Sequence, residues 1–485
     1  MLEKVSACII AKNEEKNLPR LLKSIKGKFK EIILVDTGST DKTVDIAKEY
    51  GCKVFHRQWN GFADARNYAV ENASGEWVWH FDADTELEES EYQRFKTFFN
   101  LFNKDIYEGI QTVYKNIGID GKIKGISTTV HIHKKKDNIK WIGKVHERVV
   151  NMDTYTILVP NFQVKVLHYG YSLADVQKDK AKRNLKLIFD EIKSAKDKNS
   201  FDYLVNLFYA IQSYNALSFI EEKDKNLKRA AKYIEKLYKN IDKFQKESIF
   251  FKHFFVYAAT VYKSLNNLER ATFFVEEGLK IDPNYPDILY LKADIFETKK
   301  DLEKAVSYYI DFLKSIDTII EQNISIVSDY VAYSKFIATR KLPDLIEKMD
   351  NKQKVIDEIR KIWNQTRGLH IGLLLYSLEK SNNPKKAEAI LEKLSRIYSE
   401  DDYILSLKGL IYKERGLIDK AIEFMKKALD INPLNPQANL FFAEIFEKEG
   451  KLVESINFYK TYLESAKDID IYNKVLNLAK KLTKN

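Results

Sequence analysis

Residues 77–86 have the sequence Trp77-Val78-Trp79-His80-Phe81-Asp82-Ala83-Asp84-Thr85-Glu86, and this stretch decides the fold of the first part of the chain. Its apolar, aromatic run predicts a buried strand that ends on two acids. Side chains at i and i+2 of an extended chain point to the same side, so Asp82 and Asp84 can face one cation. Mg²⁺ and Mn²⁺ prefer carboxylate, water and phosphate oxygens. The pattern predicts a metal–diphosphate site, although an Asp-x-Asp pair alone also fits two acids that open a loop.

Two earlier strands end in the same way. A predicted strand over 5–10 ends shortly before Asn13, and a predicted strand over 31–35 ends at Asp36. Helix-periodic segments follow both strands, and this alternation implies a mostly parallel sheet with helices on its two faces. Ligands of such sheets bind beyond the C-terminal ends of the strands. We therefore predict an α/β, Rossmann-like nucleotide-binding domain in which these side chains converge with the acidic pair on one crevice.

Composition limits the other possibilities. The 485 residues carry a formal net charge of +10, with 45% hydrophobic and 31% charged residues, and their length predicts about two to four compact units. Most lysines alternate with acids, as on a solvated helix surface, and no nucleic-acid-binding motif is present. No apolar run reaches the roughly 20 residues of a transmembrane helix, and no signal-peptide pattern is seen. With Cys8 and Cys52 as its only cysteines, the chain is expected to be cytoplasmic.

Two later segments contain candidate catalytic groups. The sequence at 145–148 places His146 beside Glu147, a plausible general-base pair for deprotonating an acceptor, with Glu86 and Asp153 as competing bases. His168 ends a predicted strand. It is either a further ligand of the metal or phosphate or a hydrogen-bonded structural histidine.

The C-terminal part repeats with a period of 34 residues. Small and aromatic residues recur at this spacing, and prolines follow the second helix of a pair, as in tetratricopeptide repeats. Residues 318–367 fit the repeat poorly, and 201–245 predict an irregular first pair. The pattern predicts an all-α solenoid, whose concave surface commonly binds extended peptides, and dimerisation through the array is an equally reasonable use. The predicted domains are 1–171 (nucleotide-binding), 172–200 (helical connector) and 201–485 (repeats).

Four motifs of the first ninety residues carry a family resemblance. Residues 12–15, 35–41, 65–67 and 82–84 resemble, in order and spacing, the family-2 inverting glycosyltransferases with a GT-A fold. The resemblance implies a UDP-sugar donor and a metal, Mg²⁺ or Mn²⁺. It implies that the donor is bound by Ala11, Asn13, Glu14, Asp36, Arg66, Asn67 and Asp82. It also implies that the metal is held by Asp82 and Asp84, with His168 as the added ligand. Thr37 departs from members that have a second acid there, which bears on recognition of the base.

The segments beginning at Gly143 and His168, together with the repeats, are similar to the glycocin-type peptide S-glycosyltransferases. This resemblance implies that the chain moves a hexose, with glucose expected, from a UDP-sugar to a cysteine or serine of a bacteriocin-type precursor peptide. Glu147 and His146 would activate the acceptor, and the repeats would bind the peptide or form a homodimer. The alternative is a glycosyltransferase of surface-polysaccharide or lipopolysaccharide-type glycan synthesis. A repeat scaffold with an inactive transferase domain is disfavoured by the intact acids.

Overall fold

The structure is a computed structural model of the whole chain. It describes residues 2–101, 104, 106–117, 123–152, 157–158, 164–169, 174–244, 249–321, 333–465 and 468–482. The chain divides into two compact units, Met1–Asn266 and Asn267–Asn485. In the described part of the chain, no helix is long and apolar enough to cross a membrane.

The first unit is built on a curled mixed sheet. Its strands are β1 Leu2–Ala11, β2 Phe29–Asp36, β3 Lys53–His56, β4 Trp77–Asp82, β5 Thr85–Glu86, β6 Gly109–Ile117, β7 Ile123–Lys134, β8 Lys140–Ile142, β9 Arg148–Val150, β10 Ile157–Leu158 and β11 Val164–His168. The order is β3-β2-β1-β4-β7-β6-β11-β5, with β10 beside β6 and a separate β8–β9 ribbon. The strands β3, β2, β1 and β4 are parallel, whereas β7 is antiparallel to both of its neighbours. The predicted GT-A class of fold is confirmed.

Helices cover both faces of this sheet. Those of the first unit are α1 Leu18–Ile25, α2 Thr43–Glu49, α3 Phe62–Asn72, α4 Glu89–Leu101, α5 Ala174–Ser194, α6 Phe201–Ser218, α7 Lys223–Tyr238 and α8 Ile249–Ser264, with a 3₁₀ turn at Ile241–Lys243. Alternate residues of β4 supply both cores, as the side-chain period of a strand requires. On one face Trp79 stacks on Phe81 and packs edge-on against Phe95 of α4. On the other, Val78 packs with Ala69 of α3.

The predicted connector lies within the first unit. Its helix α5 packs against α6, and its Glu191 accepts a hydrogen bond of 2.8 Å from the backbone N–H of Lys144. Leu185 and Ile188 of the same helix are buried. The division between compact units therefore falls between 266 and 267, beyond the connector, while the predicted border at 171 lies outside the described residues.

The second unit is all-helical. Its helices are α9 Leu268–Ile281, α10 Pro286–Thr298, α11 Leu302–Glu321, α12 Ser334–Phe336, α13 Leu342–Ile346, α14 Lys352–Thr366, α15 Leu369–Lys380, α16 Pro384–Ile397, α17 Asp402–Glu414, α18 Ile418–Ile431, α19 Pro436–Lys448, α20 Leu452–Ser465 and α21 Ile469–Leu482. Helices α10 and α11, α15 and α16, α17 and α18, and α19 and α20 pack as consecutive pairs. The predicted tetratricopeptide solenoid is confirmed. The poorly fitting segment departs from it, because a π-helical stretch, Ile337–Lys341, joins two short helices there.

A buried polar chain holds this departing segment. Ser334 Oγ lies 2.8 Å from His370 Nε2, and His370 Nδ1 lies 2.8 Å from Asp317 Oδ1. Asp317 also accepts the backbone N–H groups of His370 and Ile371 at the start of α15. The order of groups is that of a Ser-His-Asp triad, but all three side chains are buried in helix packing. We interpret the chain as a structural tie between α11, α12 and α15.

Candidate active site

The two acids of the opening stretch meet His168 at the C-terminal edge of the sheet. Asp82 ends β4, and Asp84 follows in the turn before β5. Pairing of β5 with β11 sets His168 opposite Thr85 and brings its Nε2 to 3.2 Å from Asp84 Oδ1. One ligand atom from each of the three side chains lies within 4.8 Å of the others. Two carboxylates and one imidazole fit Mg²⁺ or Mn²⁺ with positions left for substrate oxygens.

Arg66 of α3 is bonded to two carboxylates in the cavity. Its Nη2 donates to Asp82 Oδ1 and its Nε donates to Glu147 Oε1, both at 2.8 Å. Burial raises the pKa of Asp82, but the charge of Arg66 outweighs it and holds this pKa below its ordinary value. Burial lowers the pKa of Arg66, and the two carboxylates raise it by more. Arg66 therefore stays charged and fixes both carboxylates, while its buried Nη1 has no hydrogen-bond partner among the described residues.

An indole lies behind Arg66 and is held from two sides. The ring of Trp141 lies 4.9 Å from Arg66 Cζ, a cation–π arrangement. Asn67 forms two hydrogen bonds with the backbone of Trp141. Its Nδ2 donates to the Trp141 carbonyl and its Oδ1 accepts the Trp141 N–H, both at 2.9 Å. Both groups of the Asn67 amide are thus bonded to β8. In the structure Asn67 positions Trp141, and its predicted contact with the donor stays a prediction.

Three buried histidines surround the same indole. Trp141 Nε1 donates to Nε2 of His80 and of His133, each at 3.2 Å. His131 stacks on Trp141 with ring centroids 6.0 Å apart. Burial lowers the pKa of His131 to about 3 and that of His133 to about 4, and lowers the pKa of His80 well below its ordinary value. These imidazoles are therefore neutral at pH 7. Sequence reasoning missed this cluster, although the His-x-His spacing on β7 was a visible indication of one shared face.

The predicted nucleoside side is ordered by Asp36. This carboxylate, at the end of β2, accepts the backbone N–H of Gly38 at 3.3 Å and of Ser39 at 3.0 Å, and His56 Nδ1 lies 3.2 Å away. Burial raises the pKa of Asp36, but the bonds from Ser39, His56 and Gly38 outweigh it and lower the pKa overall. Asn13 Oδ1 in turn accepts the Thr40 N–H at 2.8 Å.

Two cavities lie along this edge of the sheet. The first cavity has a volume of about 400 Å³. It is bordered by the predicted residues Ala11, Glu14, Arg66, Asp82, Asp84, His146, Glu147 and His168. A second, of about 470 Å³, is bordered by Asp36 and His56, and it shares Lys12, Thr37 and Trp59 with the first. Asn13 and Asn67 border neither. Phe62, Arg183 and Asn184 also border the first cavity, and sequence reasoning missed them.

The candidate base lies inside the first cavity. Glu147 has a side chain only 14% exposed and is oriented by Arg66. His146 has a backbone φ of +52° and stacks on Tyr209 of α6, with centroids 4.1 Å apart. Burial lowers the pKa of His146, and the charge of Glu147 opposes this. Of the competing bases, Glu86 accepts the hydroxyl of Tyr169 at 2.9 Å, and Asp153 lies outside the described residues.

Comparison with known proteins agrees with this architecture. Residues 6–148 match the family Glycosyl transferase family 2, and residues 258–285, 286–315 and 403–433 match the tetratricopeptide repeat. The chain thus carries a family-2 glycosyltransferase domain followed by tetratricopeptide repeats.

Several relatives match parts of the chain. The SPbeta prophage-derived glycosyltransferase SunS of Bacillus subtilis is 28% identical over 313 residues, 60% of this chain and 66% of SunS. An uncharacterised glycosyltransferase of Rickettsia typhi is 37% identical over 23% of this chain, and a tetratricopeptide-repeat protein of Synechococcus elongatus is 45% identical over 18%. The chain spans 38% and 22%, respectively, of these two relatives. A crystal structure of S. aureus TarS aligns over 56% of this chain and 55% of TarS at 17% identity, with a TM-score of 0.33.

Proposed function

We propose that this chain transfers a hexose, with inversion, from a UDP-sugar to a cysteine or serine side chain of a bacteriocin-type precursor peptide. The observation that carries the proposal is the meeting of Asp82, Asp84 and His168 within 4.8 Å in a cavity next to Asp36. The match to a glycosyltransferase family and to SunS over 60% of the chain supports the transfer activity. The peptide acceptor rests on the glycocin-type resemblance of the sequence.

The two carboxylates and the imidazole of this cluster fit a divalent cation. A Mg²⁺ or Mn²⁺ ion held by Asp82, Asp84 and His168 would supply positive charge to the leaving diphosphate. Arg66 keeps Asp82 ionised and oriented for this purpose. The backbone hydrogen bond from Tyr169 to the carbonyl of Asp84, 2.9 Å long, fixes the end of β11 beside the turn that carries Asp84. The nucleoside would occupy the cavity at Asp36.

Glu147 is the proposed base. Inversion in one displacement requires that the acceptor attack opposite the leaving diphosphate, and a carboxylate beside the acceptor can take its proton. Arg66 holds Glu147 in one orientation within the cavity. A cysteine acceptor needs little help, because a thiol has a pKa of roughly 8.5 and is intrinsically nucleophilic. A serine acceptor depends on the base much more strongly.

The repeats are proposed to bind the precursor peptide or to form a homodimer. Stacked helix pairs present extended concave surfaces of the kind that bind peptides. In this proposal, residues 1–171 hold the donor, 172–200 connect, and 201–485 serve the acceptor.

The full chain, UDP-glucose, Mg²⁺ and candidate precursor peptides test the proposal when peptide mass and release of UDP are measured together. We expect a peptide to gain one hexose and to lose this gain when the metal is chelated. Asp84→Ala should abolish transfer. Asp45→Ala, which removes the same charge from an exposed position of α2, should not.

Three results would contradict parts of the proposal. Transfer activity in the Asp84→Ala variant would refute the assignment of the metal site. Hydrolysis of the donor without a mass gain on any peptide would favour the alternative, a transferase of surface-glycan synthesis. Absence of both UDP binding and UDP release from the wild-type chain would refute a UDP-sugar transferase.

A further inference from the structure

The charge of the first cavity is unfavourable for an anionic donor. Its lining includes four carboxylates, those of Glu14, Asp82, Asp84 and Glu147. The buried cation Arg66 already bonds two of them, and the exposed Lys12 also borders the cavity. A nucleotide diphosphate brings further negative charge, and a bound divalent cation would be shared with Asp82 and Asp84. Because the four carboxylates still outnumber Arg66 and Lys12, a further cation in the lining would favour binding of the diphosphate.

Arg183 of α5 is such a cation. It borders the cavity, and its Cζ lies 5.2 Å from the ring centroid of Phe62. Its Nη2 and Nε donate to Asn184 Oδ1 at 3.2 and 3.4 Å, and Asn184 borders the same cavity. Among the described residues it forms no ion pair with a carboxylate. Partial desolvation lowers the pKa of Arg183, and the charge of Glu147 opposes this, yet the guanidinium remains a cation at neutral pH.

The position of Arg183 is fixed by the packing of its helix. The neighbouring Leu185 and Ile188 are buried, and Glu191, two turns along, accepts the Lys144 N–H. Lys144 in turn precedes the segment that carries the candidate base. Helix α5 is thus anchored beside the cavity by its packing and by this hydrogen bond, and Arg183 borders the cavity from this helix.

We propose that Arg183 binds the diphosphate of the nucleotide-sugar donor, so that helix α5 of the predicted connector forms one wall of the donor site. The inference rests on the proposed function. A guanidinium presents a planar fork of donors that matches phosphate oxygens, and Asn184 orients that fork. The side chain of a cysteine or serine acceptor carries at most one negative charge, so it attracts this cation less than the diphosphate does.

Calorimetric titration of the full chain with UDP and with uridine, both in Mg²⁺, tests the assignment. We expect Arg183→Gln to weaken UDP binding about 10- to 100-fold, the range for a lost hydrogen bond between charged groups, and to leave uridine binding unchanged. Arg183→Lys should restore part of the loss, because it keeps the charge without the fork. Lys186→Gln removes a charge from an exposed position of the same helix outside the cavity and should bind UDP as the wild type does.

Two results would overturn the inference while the proposed function stands. The first is wild-type affinity of Arg183→Gln for UDP. The second is unchanged UDP affinity with a raised KM for the peptide, which would assign Arg183 to the acceptor. Failure of the wild-type chain itself to bind UDP would refute the proposed function instead. Far-ultraviolet circular dichroism and the unfolding temperature show whether each variant folds.

Discussion

Acidification between pH 6.5 and 5 should destabilise the first unit through His131 and His133. Both are buried around Trp141, and burial lowers their pKa values to about 3 and about 4. In the unfolded chain a histidine has a pKa of roughly 6.5. As pH falls below that value, the unfolded state binds protons that the folded state does not. Stability is therefore fully present above about pH 6.5 and is lost as pH falls towards the folded pKa values.

The magnitude follows from these values. At pH 5 each of the two histidines should lower the free energy of unfolding by about 2 kcal/mol relative to about pH 7.5. The reason is that the histidine is almost fully protonated in the unfolded chain and mostly neutral in the folded one. Together they account for about 4 kcal/mol, a large part of the roughly 5–15 kcal/mol by which domains are stable, and His80, whose pKa burial also lowers well below its ordinary value, adds to the loss. Carboxylates with lowered pKa values act in a more acidic range. Burial raises the pKa of Glu31, but hydrogen bonds from Lys53, Ser6 and Ser74 outweigh this and lower the pKa to about 2. The contribution of Glu31 to stability is therefore lost as pH falls below about 4.5.

Denaturant titration at several pH values between 7.5 and 5, followed by tryptophan fluorescence, measures the effect. Trp59, Trp77, Trp79 and Trp141 lie in the first unit and only Trp363 lies in the second, so the signal reports mainly on the relevant unit. His133→Gln removes one titrating group. Whatever its stability at pH 7.5, we expect the fall in its free energy of unfolding between pH 7.5 and 5 to be about 2 kcal/mol smaller than in the wild type. A wild-type free energy of unfolding that stays constant over this range would refute the reasoning, as would an unchanged slope in the variant.

Replacing Glu147 with glutamine should slow transfer to serine about 100-fold or more, which is the range for a lost general base. Transfer to cysteine should slow much less. Initial rates of UDP release with a serine peptide and with a cysteine peptide measure both effects. Gly372→Ala should lower the free energy of unfolding by about 1–3 kcal/mol, because a Cβ there would lie 2.6 Å from Nε1 of Trp363. The matched Gly409→Ala should cost less, since its nearest contact is the flexible end of a methionine at 2.9 Å. Asp317→Ala should destabilise the second unit by about 3 kcal/mol, because three donors lose a buried acceptor, and thermal unfolding of the variant measures this loss.

The sequence was sufficient for the parts of the site that follow from local pattern. Strands of a parallel sheet place their C-terminal ends on one edge, so Asp36 and the acidic pair had to lie near one another once the alternation of strands and helices was recognised. His168 could be anticipated at a strand end. Its partner Asp84 was then supplied by the β5–β11 pairing, which the sequence did not reveal.

The missed residues depend on contacts between distant segments. Arg183 follows the acidic pair by about a hundred residues, and its approach to the cavity is set by the packing of α5, whose periodicity indicates a helix and nothing of its position. Asn67 lies in a motif that is predicted to bind the donor, but its amide is bonded to Trp141, 74 residues later. The cluster around that indole needed β4, β7 and β8 to be assembled first.

The stacking of His146 on Tyr209 carries a consequence for how this chain could have evolved. Tyr209 of helix α6 packs against His146 beside the candidate base, and α5 brings Arg183 to the same cavity. A recombination event that joined this transferase to a foreign repeat array at residue 171 would discard both contributions. Only a breakpoint beyond α6 would pass them on together. Recombination that exchanges the repeat array should therefore preserve the first two helices after the sheet.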